Sequence, residues 1–178
     1  MSAVVTLVGN PREGSRTRTV AVSAAGTLGR RIGYDDPPDV VDLAALAPHL
    51  LAPVPPPAVE AALELVERAG VLVVASPTYK ATYTGLLKVF LDRLRGGALA
   101  GTVALPLLVM GDARHALAVE VHLRPVLVEL GALVPTPGLA VVEADIPALG
   151  TRLEPWADRV APQVAAALRQ TIGEGVQA

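Results

Sequence analysis

Cysteine is absent from this 178-residue sequence, which rules out disulfide frameworks, thiolate metal sites and cysteine nucleophiles. Any redox chemistry must therefore come from a cofactor. Aromatic residues are scarce too, with one Phe, one Trp and three Tyr, so a local concentration of them carries information. Fifteen basic against seventeen acidic residues give a formal charge of -2 with no basic run, which speaks against a nucleic-acid or anionic-membrane partner. No apolar run approaches the roughly 18 residues of a membrane span, and no leader pattern opens the chain, so a cytoplasmic protein is expected. The histidines, His49, His115 and His122, have no metal-ligand spacing, and no metal is expected. Neither G-x-G-x-x-G nor G-x-x-x-x-G-K-[ST] occurs, which removes the dinucleotide fingerprint and the P-loop.

What is present alternates between strand and helix patterns. Ala3 to Val8, Asp39 to Leu43, Val71 to Ala75, Thr102 to Met110 and Leu139 to Val142 read as strands. Two of these runs are continuously apolar, as in parallel strands buried on both faces, while Asp39 to Leu43 suits an edge. Pro106 interrupts one run and is expected at a strand end or a bulge. Helical spacing marks Thr17 to Leu28, Ala58 to Ala69, Thr84 to Leu94, His115 to Leu130 and Glu154 to Gln170. Five prolines between Pro48 and Pro57 make a stiff surface connector. The alternation predicts a doubly wound α/β fold with a five-stranded parallel sheet, one domain over residues 1–170 and a loose tail over 171–178.

In such sheets ligands sit beyond the carboxyl ends of the strands. The turn after the first strand, Gly9-Asn10-Pro11-Arg12-Glu13-Gly14-Ser15-Arg16-Thr17-Arg18-Thr19, opens a helix on Ser15, whose hydroxyl can cap it. The free N–H groups of that first turn, with hydroxyls and guanidiniums around them, suit the single terminal phosphate of a mononucleotide. An ordinary capped helix with solvated arginines accounts for the same residues, and the segment alone leaves both readings open. The turn after the central strand, Ser76-Pro77-Thr78-Tyr79-Lys80-Ala81-Thr82-Tyr83-Thr84-Gly85, holds two of the three tyrosines. Tyr79 can stack on a planar ring and Lys80 can favour negative charge on it, while Thr84 reads as the cap of the next helix. In the third turn, Met110-Gly111-Asp112-Ala113-Arg114-His115, Gly111 allows close backbone approach, and His115 reads as a packing or hydrogen-bonding residue at a helix start.

Taken together, Gly9-Asn10-Pro11-Arg12…Ser15-Arg16-Thr17, then Ser76 to Lys88 with Leu91-Asp92, then Arg114-His115-Ala116-Leu117-Ala118-Val119-Glu120…Leu123-Arg124-Pro125, resemble the flavodoxin-like NAD(P)H-dependent FMN reductases. The resemblance is strongest to the reductase components of two-component alkanesulfonate and methanesulfonate monooxygenases. It implies that Arg12, Ser15, Arg16 and Thr17 hold the FMN phosphate. It further implies that Pro77, Thr78, Tyr79 and Lys80 line the isoalloxazine, and that Gly111 and Asp112 close the other ring edge. NAD(P)H would be the hydride donor, free flavin the exchanged ligand, a flavin-dependent monooxygenase the recipient, and the assembly a homodimer or homotetramer. Three positions depart from the family pattern: Asn10 for serine, Met110 for the first glycine of a Gly-Gly pair, and Val121 where relatives carry tyrosine or histidine. Pro125 lacks the N–H that would reach the Val121 carbonyl, so a kink or bulge is expected in a helix whose nearly all-apolar surface suits a subunit interface. A quinone or azo-compound reductase on the same scaffold, a flavodoxin-type electron carrier and a flavin-free scaffold subunit are the alternatives. Acceptor preference separates the first of these, and an aromatic sandwich with an acidic surface would mark the second.

Overall fold

The computed structural model describes residues 4–174, with side chains of the last helix described as far as residue 171. The chain runs β1 (Val4–Val8), α1 (Arg16–Arg31), β2 (Asp39–Asp42), a single turn α2 (Leu43–Leu46), α3 (Pro57–Glu67), β3 (Val71–Pro77) and α4 (Gly85–Leu91). It continues through β4 (Val103–Met110), α5 (Arg124–Glu129), β5 (Leu139–Val142) and α6 (Leu149–Glu174). The five strands are parallel in the order β2-β1-β3-β4-β5, as the alternation predicts, with β2 at an edge. Strand order reverses between β1 and β3, which opens a crevice at their carboxyl ends.

The unbroken apolar runs have a direct structural meaning. In β3, Leu72 and Val74 join one core cluster while Val71, Val73 and Ala75 join the other; β4 repeats this with Ala104, Leu108 and Met110 against Val103, Leu105, Leu107 and Val109. Successive side chains point to opposite faces, and both faces are covered, so no polar position is needed. Each fully buried leucine, such as Leu72 or Leu108, stabilises by roughly 1.5–3 kcal/mol relative to exposure. The small inner face of α1, with Ala21, Ala24 and Ala25 all buried, lets that helix lie close on β3 and β4 and beside α6.

Pro106 is not at a strand end or a bulge. It stands inside β4, opposite Val74. The N–H groups alternate along β4: Val103 donates toward β3, to Gly70, and Ala104 toward the other side, to the Leu133 carbonyl. The nitrogen of Pro106 therefore faces away from β3, into the gap between Leu133 and the start of β5 pairing at Leu107. A missing donor costs nothing where no acceptor waits.

The helix expected from His115 to Leu130 is broken into a 3₁₀ turn at Ala113–His115, a π-helical segment at Val119–Leu123, and α5. The Arg124 N–H donates to the Val119 carbonyl, one residue further back than in an α-helix, so the irregularity expected from Pro125 takes the form of a π-turn. The final helix starts five positions earlier than its periodicity indicated and runs through residues 171–174 of the expected tail; residues 175–178 and the Ala3 end of the first run lie outside the described residues.

Glu120 ties the π-segment to the sheet. Its carboxylate accepts from Arg124 Nε at 2.5 Å and from the Gly138 N–H at 2.5 Å, while Arg124 donates onward to the carbonyls of Val134 and Thr136. The hydrogen bond from Arg124 holds the Glu120 carboxyl below its ordinary value of 4.5, the Gly138 N–H adding to it and partial burial opposing. A depressed folded pKa gives stability that is complete above the unfolded value and lost as pH falls through the folded one. Glu120→Gln is expected to cost about 1 kcal/mol at neutral pH, below the roughly 1.5–3 kcal/mol of a charge-assisted bond because a third of the side chain is solvated. Urea melts should show the gap between the two proteins closing as pH drops below about 4.5.

Candidate functional site

The first loop leaves β1 under tight constraint. Gly9 donates to the Ala75 carbonyl at 2.7 Å, and a Cβ on it would lie 2.5 Å from Cβ of Leu87. Asn10 is buried; its Oδ1 accepts from the Arg12 N–H at 2.9 Å and its Nδ2 donates to Thr17 Oγ1 at 3.1 Å, so the side chain closes the loop onto α1. Gly14 takes φ +59°, and Ser15 then caps α1, its hydroxyl oxygen accepting from the Arg18 N–H at 3.2 Å. The amides of Arg16 and Thr17, at the first two helical positions, have no acceptor within the helix and carry the positive end of its dipole.

The second loop is fastened to the first. Thr84 caps α4 by accepting from Leu87 N–H at 3.1 Å, as the sequence indicated, and donates to the Gly9 carbonyl at 2.6 Å. Ser76 accepts from the Thr84 N–H at 2.9 Å, and the Thr78 N–H donates to Val109 of β4. Tyr79 and Thr82 pair across a two-residue hairpin turn whose central residues, Lys80 and Ala81, have φ of 51° and 67°. Both positions favour Asn or Gly, so the turn holds strain. Ala81→Gly is expected to raise stability by about 0.5–1 kcal/mol, the relief of a left-handed alanine less the entropy glycine adds to the unfolded chain, read as a higher urea midpoint.

A cavity of ≈ 450 Å³ lies between these loops. Arg12, Ser15, Arg16 and Thr17 line it from the first loop, Pro77 and Tyr79 from the second, so six of the residues expected to bind a ligand share one space. Thr78, Lys80, Gly111 and Asp112 do not line it. Lys80 is exposed on the hairpin tip. Thr78 Oγ1 is buried with no hydrogen-bond partner among the described residues. Gly111 has open space where a Cβ would stand, so the third turn is accessible to a ring edge. Asp112 is engaged locally: it accepts from the Arg114 N–H at 2.9 Å and from its guanidinium at 2.7 Å, contacts that hold its carboxyl below the usual range. His115 ends the 3₁₀ turn rather than starting a helix, its backbone N–H donating to the Asp112 carbonyl at 3.1 Å.

Four further residues line it, Asn10, Glu13, Gly14 and Glu143, none of them expected to hold the ligand from the sequence. Glu143 follows β5 directly and meets Arg16 at 3.0 Å. The rule placing ligands at strand ends extends to it, but nothing local in the sequence pairs β5 with the start of α1. The lining suits a phosphorylated planar ligand: the first-turn amides of α1, the Ser15 hydroxyl and two arginines at one end, and Pro77 and Tyr79 at the other.

A flavodoxin-like sheet whose switch point carries a hydroxyl- and arginine-rich helix start defines a class, the mononucleotide-binding doubly wound proteins. Residues 2–145 match the family described as NADPH-dependent FMN reductase, and the chain belongs to that family. It is 40% identical over 131 residues to the FMN reductase (NADPH) of Escherichia coli K12, covering 72% of this chain and 67% of the relative. It is 32% identical over 170 residues to the NADH-dependent FMN reductase SfnE of Pseudomonas putida, covering 89% and 90% respectively. The crystal structure of apo NADH:FMN oxidoreductase EMOB superimposes with a TM-score of 0.76 at 31% identity, over 90% of this chain and 89% of that one. Family membership assigns the reaction class: an oxidoreductase using NAD(P)H and FMN.

Proposed function

We propose that the chain binds FMN with its phosphate on the first turn of α1 and its ring against Pro77 and Tyr79, and supplies reduced flavin to a partner monooxygenase. The observation that carries this reading is the shared cavity, which joins a phosphate-type donor set to an aromatic corner. When bound, FMN supplies the ring that accepts hydride from NAD(P)H. The chain's residues do the rest by position. The amides of Arg16 and Thr17 and the Ser15 hydroxyl bind the phosphate, Arg12 and Arg16 neutralise it, and Pro77 with Tyr79 orients the ring. Thr78, Lys80 and Asp112 lie outside the cavity lining; the buried Thr78 hydroxyl would meet a ring heteroatom only after a shift of its loop, and Lys80 and Asp112 are read as meeting the ring edges from the neighbouring turns. No side chain is needed as a nucleophile or general base, because hydride transfer is the cofactors' chemistry.

The chain is read as a single cytoplasmic domain that assembles with copies of itself. Leu117 in the turn before the π-segment, Val121 within it and Val128 in α5 are 66%, 51% and 54% exposed, an apolar surface that a second subunit would cover. Val121, the departure from the family pattern, belongs to that surface. The experiment is to follow NADPH and NADH oxidation by the purified protein with and without FMN, and with a quinone as acceptor. Oxidation that depends on FMN supports the reading, and turnover with quinone far above that with FMN would transfer the assignment to a quinone reductase. A monomeric mass at micromolar concentration would remove the oligomer.

A further inference from the structure

The rim of the cavity carries an ion pair that an incoming phosphate must contend with. Glu143 meets Arg16 at 3.0 Å from the opposite side of the site, and Glu13 adds a second carboxylate to the lining. Arg12 and Arg16 are thus matched by two acids, and a phosphate dianion meets almost no net positive side-chain charge there. We infer that Glu143 is an internal competitor for the Arg16 guanidinium, lowering affinity for the flavin phosphate so that flavin exchanges rather than stays resident. This rests on the FMN reading above.

The energetics favour a contact that yields. The Arg16 and Glu143 side chains are 64% and 35% exposed, and solvated pairs of this kind are weak and easily broken. Arg16 can therefore turn to a phosphate at small cost. Glu143 then remains beside a dianion, and that repulsion persists for as long as the ligand is bound. A purely structural role is a poor account of the pair, since so exposed a contact adds little to holding α1 against the end of β5.

Affinities of the full-length protein for FMN and for riboflavin, which has the same ring and no phosphate, test the inference. Flavin fluorescence at low ionic strength serves for the wild type, Glu143→Gln, Arg16→Ala and the double variant. Glu143→Gln is expected to tighten FMN about three- to tenfold and to leave riboflavin within about twofold, with the gain lost in the Arg16→Ala background and shrinking as salt is added. Circular dichroism on each variant checks the fold, and the salt series on the wild type, which should show the competition without any substitution, stands if a variant fails to fold. Unchanged or weaker FMN binding by Glu143→Gln, with Arg16→Ala still impairing it, would overturn the competitor role and leave the phosphate site intact. Equal wild-type affinity for FMN and riboflavin would overturn the phosphate site itself.

Discussion

Gly9→Ala is expected to cost about 3 kcal/mol and to weaken FMN binding at the same time, the upper end of what overpacking costs. The added methyl would sit 2.5 Å from Cβ of Leu87, an atom fixed to the α4 backbone rather than the mobile tip of a side chain. Gly9 cannot retreat either, because its N–H is bonded to Ala75 at 2.7 Å and its carbonyl to Thr84 at 2.6 Å. The strain must pass into the loop that carries Arg12 and Ser15. A lower urea midpoint at unchanged m-value, with a melting temperature down by roughly 6–12 °C, would register the first effect. An FMN titration would register the second.

Thr84→Ala should cost a similar amount, about 2–4 kcal/mol, by a different route. The hydroxyl is buried, caps α4 through Leu87 and satisfies the Gly9 carbonyl, so its loss uncaps a helix and leaves a buried acceptor unpaired. Thr84→Ser keeps both hydrogen bonds and should recover most of the stability, whereas the near-isosteric Thr84→Val should not. Because Gly9, Thr84 and Leu87 are in mutual contact, the double variant Gly9→Ala with Thr84→Ala should lose less than the two single losses combined. Strict additivity in a denaturation cycle would show that the two loops are not fastened to each other through this contact.

The layout of the sheet was legible because its signals are local. Valine-rich runs reveal strands buried on both faces, Ser15 and Thr84 announce helix starts, and Pro57 sits at the first position of α3 as its fixed φ favours. Six of the ten expected ligand residues share one cavity for the same reason: two loops at adjacent strand ends must meet. What escaped the sequence depends on contacts between distant segments. Pro106 is tolerated inside β4 only because β5 begins one residue later on that side. The left-handed pair Lys80 and Ala81 lacks the Asn-Gly signature of its turn, so its geometry had no local marker. Glu143 acquires its meaning from Arg16, which only the folded sheet brings near. Pro125 did announce an irregular helix, and the structure supplies its form, a π-turn whose anchor is Glu120.

A crystal structure with FMN bound is the most direct examination of the account. It should place the phosphate within hydrogen-bonding distance of the Arg16 and Thr17 amides and the ring against Pro77 and Tyr79. Flavin found instead in the ≈ 510 Å³ cavity between β5 and Trp156 of α6, with the α1 start left to water, would contradict it.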